Sequence, residues 1–310
     1  MENLKKYRAQ NSKGIISFVV LLTITAPLIY LSLSGNFLIY AVAQICLSII
    51  MWSWFAVLHS CGHLAYTKSK KLNFILGHLS SLIVFVPFFS WKYHHDQHHK
   101  WTGWKEKDPS ANELSDDPPN QKTLNFLNFC WKYWIPIFSI SHTLTNFWNP
   151  IRMKELLGPG EKNIRSLISQ VILVCYIGAF LFFNPIVFLK VYGLAIILFL
   201  ITGDLVLLSQ HSLLPPKNVN EIQVKPFKNH EAFTRTITFH PVIDRFVFLN
   251  FNLHSVHHAY PSIPHYHLDK IHYKAENTVS ITEWIKLTKV MDMKDFFWPN
   301  SCELKEGSNV

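Results

Sequence analysis

Charge is scarce in this chain. Only 16% of its 310 residues are Asp, Glu, Lys or Arg while 49% are hydrophobic, and soluble domains carry roughly 25% charged residues. The shortage argues against a purely soluble protein. Cysteine is scarce as well: Cys46, Cys61, Cys130, Cys175 and Cys302 are scattered without a CxxC pair. That spacing argues against a zinc ribbon or a disulfide framework and leaves free thiols as the default. No internal repeat is visible.

Apolar runs are plentiful instead. A helix needs about 20 mostly apolar residues to cross the hydrocarbon core of a bilayer, and segments 15–33, 37–58, 167–183 and 191–208 approach or meet that length. The first two are joined by the turn-forming Ser34, Gly35 and Asn36, and the last two flank Asn184 and Pro185, with Lys190 placed to snorkel to the interface. They are expected to form two membrane hairpins. The first run is too long for a cleavable signal, lacks a small-residue cleavage site and is followed at once by another span, so it is expected to be retained. Segment 72–89 is apolar but interrupted by Gly77, His78, Ser80, Ser81 and Pro87. It is expected not to cross, because a single crossing there would separate the histidines before it from those after it.

Segment 126–147 is rich in Phe, Trp and Tyr, a composition suited to interfacial helices that frame a lipid entry route. Segment 105–122, with Asp108, Pro109, Asp116, Asp117, Pro118 and Pro119, reads as an exposed loop with nothing catalytic evident in it. From 209 to 310 the chain is polar and is expected to fold into a cap of short helices. The predicted architecture is an all-α integral membrane protein of one domain, 1–310, with four transmembrane helices.

Lys5, Lys6, Arg8 and Lys13 precede the first span, Lys68, Lys70 and Lys71 follow the second, and Arg152, Lys154, Lys162 and Arg165 precede the third. Lys and Arg are enriched on the cytoplasmic side of spans, so both termini and the cap are expected there. The same bias explains the net charge of +9 without nucleic acid. The surplus also suits anionic lipid or an acidic electron donor.

Seventeen histidines stand out against this background. His59 and His63 lie at i and i+4 in His59-Ser60-Cys61-Gly62-His63, on one face of a helix continuing the second span. His95, His98 and His99, and again His254, His257 and His258, repeat an HxxHH pattern that places three rings on one helical face. One such box arises by chance, whereas three on one predicted side of the membrane point to metal. Eight box histidines exceed the roughly four that one structural zinc takes. Adding His211, just beyond the fourth span, makes nine, enough for two ions at four or five ligands each with positions left open. Imidazole suits Zn, Cu, Fe and Ni alike, and the Glu-x-x-His pattern of soluble di-iron bundles is not seen.

The order HxxxH, HxxHH, long apolar insert, HxxHH resembles the membrane fatty-acid desaturase family of the acyl-lipid type, from about Trp54 to Leu268. His59 to His63 resembles that family's HDCGH, Trp91 to His99 its W-x-x-x-H-x-x-H-H box, and Asn252 to Pro264 its last box and proline-bearing tail. The resemblance implies a four-span fold and two Fe ions held by the nine histidines. It also implies O2-dependent desaturation of a fatty acyl lipid or acyl thioester, with electrons from a ferredoxin or a b-type cytochrome. Ser60 stands where many relatives have an acid, no HPGG haem motif is found, and the last box begins with His254 rather than Gln, unlike the front-end subgroup.

Around the metals, Asp204 is the one acid inside a predicted span and lies two helical turns before His211. It is a candidate to orient that ring from outside the ligand set, with Asp96 and Asn252 as further candidates. The other histidines, among them His94, His230, His265 and His267, have ordinary structural readings. Hydroxylation or ketolation of an alkane, carotenoid or other lipid is the rival chemistry. A metal transporter, or a metal-dependent receptor or hydrolase, is the rival outside oxidation. A transporter would place its ligands near the bilayer midplane, whereas these histidines sit at and beyond the ends of spans.

Overall fold

The computed structural model describes residues 4–111, 117–214, 227–228 and 230–298. Cys302, Asp116 and the parts of the expected loop and cap at 112–116, 215–226, 229 and 299–310 lie outside the described residues. Helices α1 (Asn11–Leu31) and α2 (Phe37–Gly62) follow the first two apolar runs. Between them Asn36 caps α2 by accepting from the N–H groups of Leu38 and Ile39, an arrangement worth about 1 kcal/mol. Helix α2 continues beyond 58 to Gly62, and the added turn carries His59.

Helix α3 (Lys70–Val84) has 15 residues, a length of about 22 Å against a hydrocarbon core of about 30 Å. Phe85 then takes a left-handed backbone conformation, φ 57°, and α4 (Phe88–Trp101) departs at 103° to α3. The aromatic region breaks into α5 (Gln121–Lys132), α6 (Ile137–Thr143) and a π-helical turn at Leu144–Trp148, followed by α7 (Pro150–Leu157).

Helix α8 (Glu161–Phe183) begins earlier than the expected 167. The last long helix also starts early, as α9 (Pro185–Phe188), a π-helical turn at Leu189–Gly193, and α10 (Leu194–His211). The π turn leaves backbone groups in want of partners, and a buried glutamine supplies them. Gln44 donates from Nε2 to the Val191 carbonyl at 2.9 Å and accepts the Ala195 N–H on Oε1 at 2.9 Å. The indoles of α2 fasten the neighbouring helices, Trp54 donating to Thr25 and Trp52 to Thr202. Among the described residues four helices are therefore long and apolar enough to cross a membrane. Ile16, Val19, Phe37, Leu38, Phe182 and Phe183 are among the large apolar side chains they expose.

Beyond His211 lie β1 (Thr236–Thr238), α11 (Pro241–Phe246), α12 (His254–Ala259), β2 (Thr278–Ser280), α13 (Ile281–Thr288) and α14 (Met293–Phe297). The two strands pair in parallel, Ile237 against Val279, which corrects the all-α expectation. The β-branched runs Thr-Ile-Thr and Thr-Val favour this pairing, but three residues are too few to show an alternating pattern. Ser280 and Glu283 form a capping box that starts α13 directly from the second strand.

Candidate metal centre

Four short stretches of helix bring the histidines together. His59 and His63 lie at the end of α2, His95, His98 and His99 on α4, His211 at the last residue of α10, and His254, His257 and His258 on α12. The nine rings separate into two groups. His59, His63, His95, His99 and His257 form one, and His98, His211, His254 and His258 the other, with the ligand atoms of each group within 4.8 Å of one another. Both HxxHH helices serve both groups. On α4 the i and i+4 rings, His95 and His99, join the five-membered group while His98 crosses to the other, and on α12 His254 and His258 join the four-membered group while His257 crosses.

Distances between the ring nitrogens carry chemical information. In the four-membered group His211 Nε2 lies 2.7 Å from His254 Nε2 and 3.1 Å from His98 Nε2. In the other, His99 Nε2 lies 3.0 Å from both His95 Nε2 and His257 Nε2. The Nδ1 atom of His98 lies 2.9 and 3.0 Å from the two carboxylate oxygens of Asp108, and His211 Nδ1 lies 2.8 Å from the Phe233 carbonyl. A carboxylate or a carbonyl only accepts, so each of these Nδ1 atoms carries the proton and each Nε2 presents a lone pair. Two such lone pairs 3.1 Å apart repel unless a cation lies between them. Metal–nitrogen bonds of about 2.0–2.1 Å place neighbouring ligand atoms roughly 3 Å apart, so the spacing in both groups fits a bound ion.

Buried ring nitrogens of His59, His63, His99, His254 and His258 have no hydrogen-bond partner among the described residues. Burial, reinforced by neighbouring rings, lowers the pKa of His63, His95, His99, His254 and His258 well below the usual imidazole value. The rings are therefore neutral at pH 7, the state a metal requires.

The surroundings differ from the sequence expectation. Asp204 accepts from the Ser139 N–H, and His211 is held by Phe233 instead, so Asp204 braces α6 against α10 and does not orient the ring. Asp96 pairs with Lys92 at 2.8 Å, one helical turn away. Asn252 donates to the Ile237 carbonyl and to Asp244, tying the start of α12 to β1. The residue in the orienting position is Asp108, in the stretch expected to hold nothing catalytic. Burial alone would raise its pKa, but His98 and the Ser110 N–H outweigh this and hold the carboxyl below its ordinary value. Its place ten residues after His98, in a turn, gives no periodic signal. His230, ordinary by its sequence context, also lies at the centre. It is buried with its Nδ1 3.4 Å from His258 Nδ1 and groups with His99 and His258, two rings already assigned. Ser60 contacts His265 Nδ1 at 2.6 Å behind the centre.

Imidazole donors alone, gathered where membrane-length helices end, define the class as a membrane protein with a polyhistidine cluster able to hold metal. The chain belongs to the fatty acid desaturase family, whose sequence profile matches residues 35–280. It is 28% identical over 237 residues to an omega-3 fatty acid desaturase of the endoplasmic reticulum from Vigna radiata var. radiata, a match covering 71% of this chain and 60% of that protein. It is 29% identical to a sn-1 acyl-lipid omega-3 desaturase (ferredoxin) from Nostoc sp. (strain 36), covering 71% and 63%. An acyl-lipid omega-3 desaturase (cytochrome b5) from Arabidopsis thaliana is 26% identical, covering 71% and 59%. The chain thus spans about 60% of the length of the curated relatives it matches.

Proposed function

We propose that this protein is an oxidoreductase that desaturates fatty acyl chains of membrane lipids, using a pair of iron ions held by His59, His63, His95, His99 and His257 on one side and by His98, His211, His254 and His258 on the other. The convergence of nine imidazoles into two groups, in a chain of this family, is the observation that carries the reading. Removing hydrogen from an unactivated methylene needs a strong oxidant, which a redox-inert zinc cannot supply and an iron pair with O2 can. The balance is one CH2–CH2 unit, one O2, two electrons and two protons giving one CH=CH unit and two waters. The electrons come from an external carrier, and the names of the relatives include both ferredoxin and cytochrome b5.

The chain itself positions the substrate and keeps the site dry. Phe251 sits 5.0 Å from the His59 ring and packs with Trp52 and Phe55, forming an aromatic floor between the imidazoles and the spans. The predicted orientation, with both termini and the centre cytoplasmic, suits delivery of electrons by a soluble or surface-bound donor. Helix α3 is then a segment that leaves and returns on the cytoplasmic side, which lets His59 meet His95.

The deciding experiment is the fatty-acid profile of a host producing the protein with a supplied donor, beside His98→Ala, analysed by gas chromatography and mass spectrometry with double-bond location. A new double bond found only with the intact chain is expected. An oxygenated product would replace desaturation by hydroxylation, and an unchanged profile would overturn an acyl substrate.

A further inference from the structure

The two histidine groups differ in what stands behind them. In the four-membered group, His98 is gripped by both oxygens of Asp108, and Asp108 is itself buried and held by the Ser110 N–H at 2.9 Å. His211 in the same group is fixed by the Phe233 carbonyl. In the five-membered group, none of the rings hydrogen-bonds to a carboxylate or a backbone carbonyl among the described residues, and His99 Nδ1 is buried without a partner. An acceptor behind a ligand imidazole fixes its tautomer and rotation and makes the other nitrogen a better donor to metal. Loss of such a partner typically costs about 10- to 100-fold in metal affinity. A buried carboxylate also supplies a negative charge close to the ion, where little water screens it.

Resting on the two-iron reading above, we propose that Asp108 is a positioning residue that makes the four-histidine site the tighter of two unequal iron sites, leaving the five-histidine site the first to empty. Two of the four donors, His98 and His211, are thus held from behind, while His254 Nδ1, like His99 Nδ1, is buried without a partner among the described residues, and five donors without outer support bind more weakly than four of which two have it. The fifth ligand adds one bond, whereas pre-orientation of His98 and His211 removes the rotational freedom those rings would otherwise lose on binding.

The test is anaerobic titration of the metal-free, full-length protein in detergent with ferrous iron, together with Mössbauer spectra at one and two equivalents. Two-step binding is expected, the steps separated by about ten-fold or more in affinity, with a single quadrupole doublet at one equivalent and a second appearing later. In Asp108→Ala the first step should weaken by about 10- to 100-fold and merge with the second. Asp108→Glu, which restores a carboxylate, should recover part of the separation. Asp108→Asn keeps the size and an acceptor but not the charge, and should fall between. Far-ultraviolet circular dichroism of the metal-free variants separates this from unfolding, and should Asp108→Ala fail to fold, Asp108→Asn decides. Two equal steps in the parent protein, or unequal steps left unmoved by Asp108→Asn and Asp108→Ala, would overturn the proposal while leaving the two-iron reading intact. Uptake of one equivalent or none by the parent would overturn that reading and this proposal with it.

Discussion

Gly62 shows how narrowly single residues define the centre. It lies between His59 and His63, and a Cβ there would come within 2.4 Å of the Trp91 ring. Trp91 in turn stacks on His95 at 4.4 Å and touches His59 at 5.2 Å. Gly62→Ala must therefore push the indole into two rings of the five-membered group. Overpacking of this kind costs about 1–3 kcal/mol, and the loss should appear both as a lower unfolding midpoint and as reduced iron content. Retention of full iron content would show that Trp91 yields without carrying the histidines with it. The eight box histidines are legible from spacing alone, because HxxxH and HxxHH reflect helical geometry directly, and His211 only from its place just beyond the fourth span. Asp108 and His230 are not, since their proximity to the rings arises from how separate segments pack. Asp204 misleads for the opposite reason: two turns along α10 suggest alignment with His211, but a backbone N–H from α6 engages its carboxylate.

At the scale of the element, α4 and α12 are unusual in burying polar rings at the positions where helices normally bury apolar ones. Burial takes His257 on α12 down to about 3 and lowers the other rings of these helices that show a shift, and it takes the neighbouring His230, outside both helices, to about 4. An unfolded imidazole protonates as pH falls through about 6.5, whereas these rings stay neutral in the fold until far lower pH. Below about pH 6.5 the unfolded chain thus binds more protons than the folded one, so stability falls with falling pH and levels off above about 7.5. The unfolding midpoint of the metal-free protein in detergent is expected to drop steadily between about pH 7.5 and 5. A midpoint that rose on acidification would mean that the rings are already charged in the fold. The long helices are readable from hydropathy, although their ends shift by up to six residues, because α8 starts in the polar stretch at Glu161 and the π turn beside Gln44 lets the last helix start at Pro185, neither of which leaves a hydropathy signature. The strands at 236–238 and 278–280 are too short to leave a pattern.

For the whole molecule, the question is which surface faces which compartment. Gly35 lies in the α1–α2 turn, where a side chain would meet only open space within 4 Å, and Lys71 lies near the start of α3 beyond the other end of α2. In a background freed of reactive native thiols, Gly35→Cys in sealed cells should react with a membrane-impermeant maleimide, while Lys71→Cys should react only after the membrane is opened. Labelling of both from outside would abolish the proposed topology, and labelling of Lys71→Cys alone would reverse it. Charge bias in the sequence already points to this arrangement, but the return of α3 rests on its short length and the 103° bend to α4. The exchange of His98 and His257 between the two groups has a further consequence for how such a protein tolerates change. One residue inserted between His95 and His98 would turn every later donor on α4 by about 100°, directing it away from its ion, whereas a residue inserted far from the boxes would leave those angles untouched. The blueprint of the centre is written in rotational phase, not in distance along the chain.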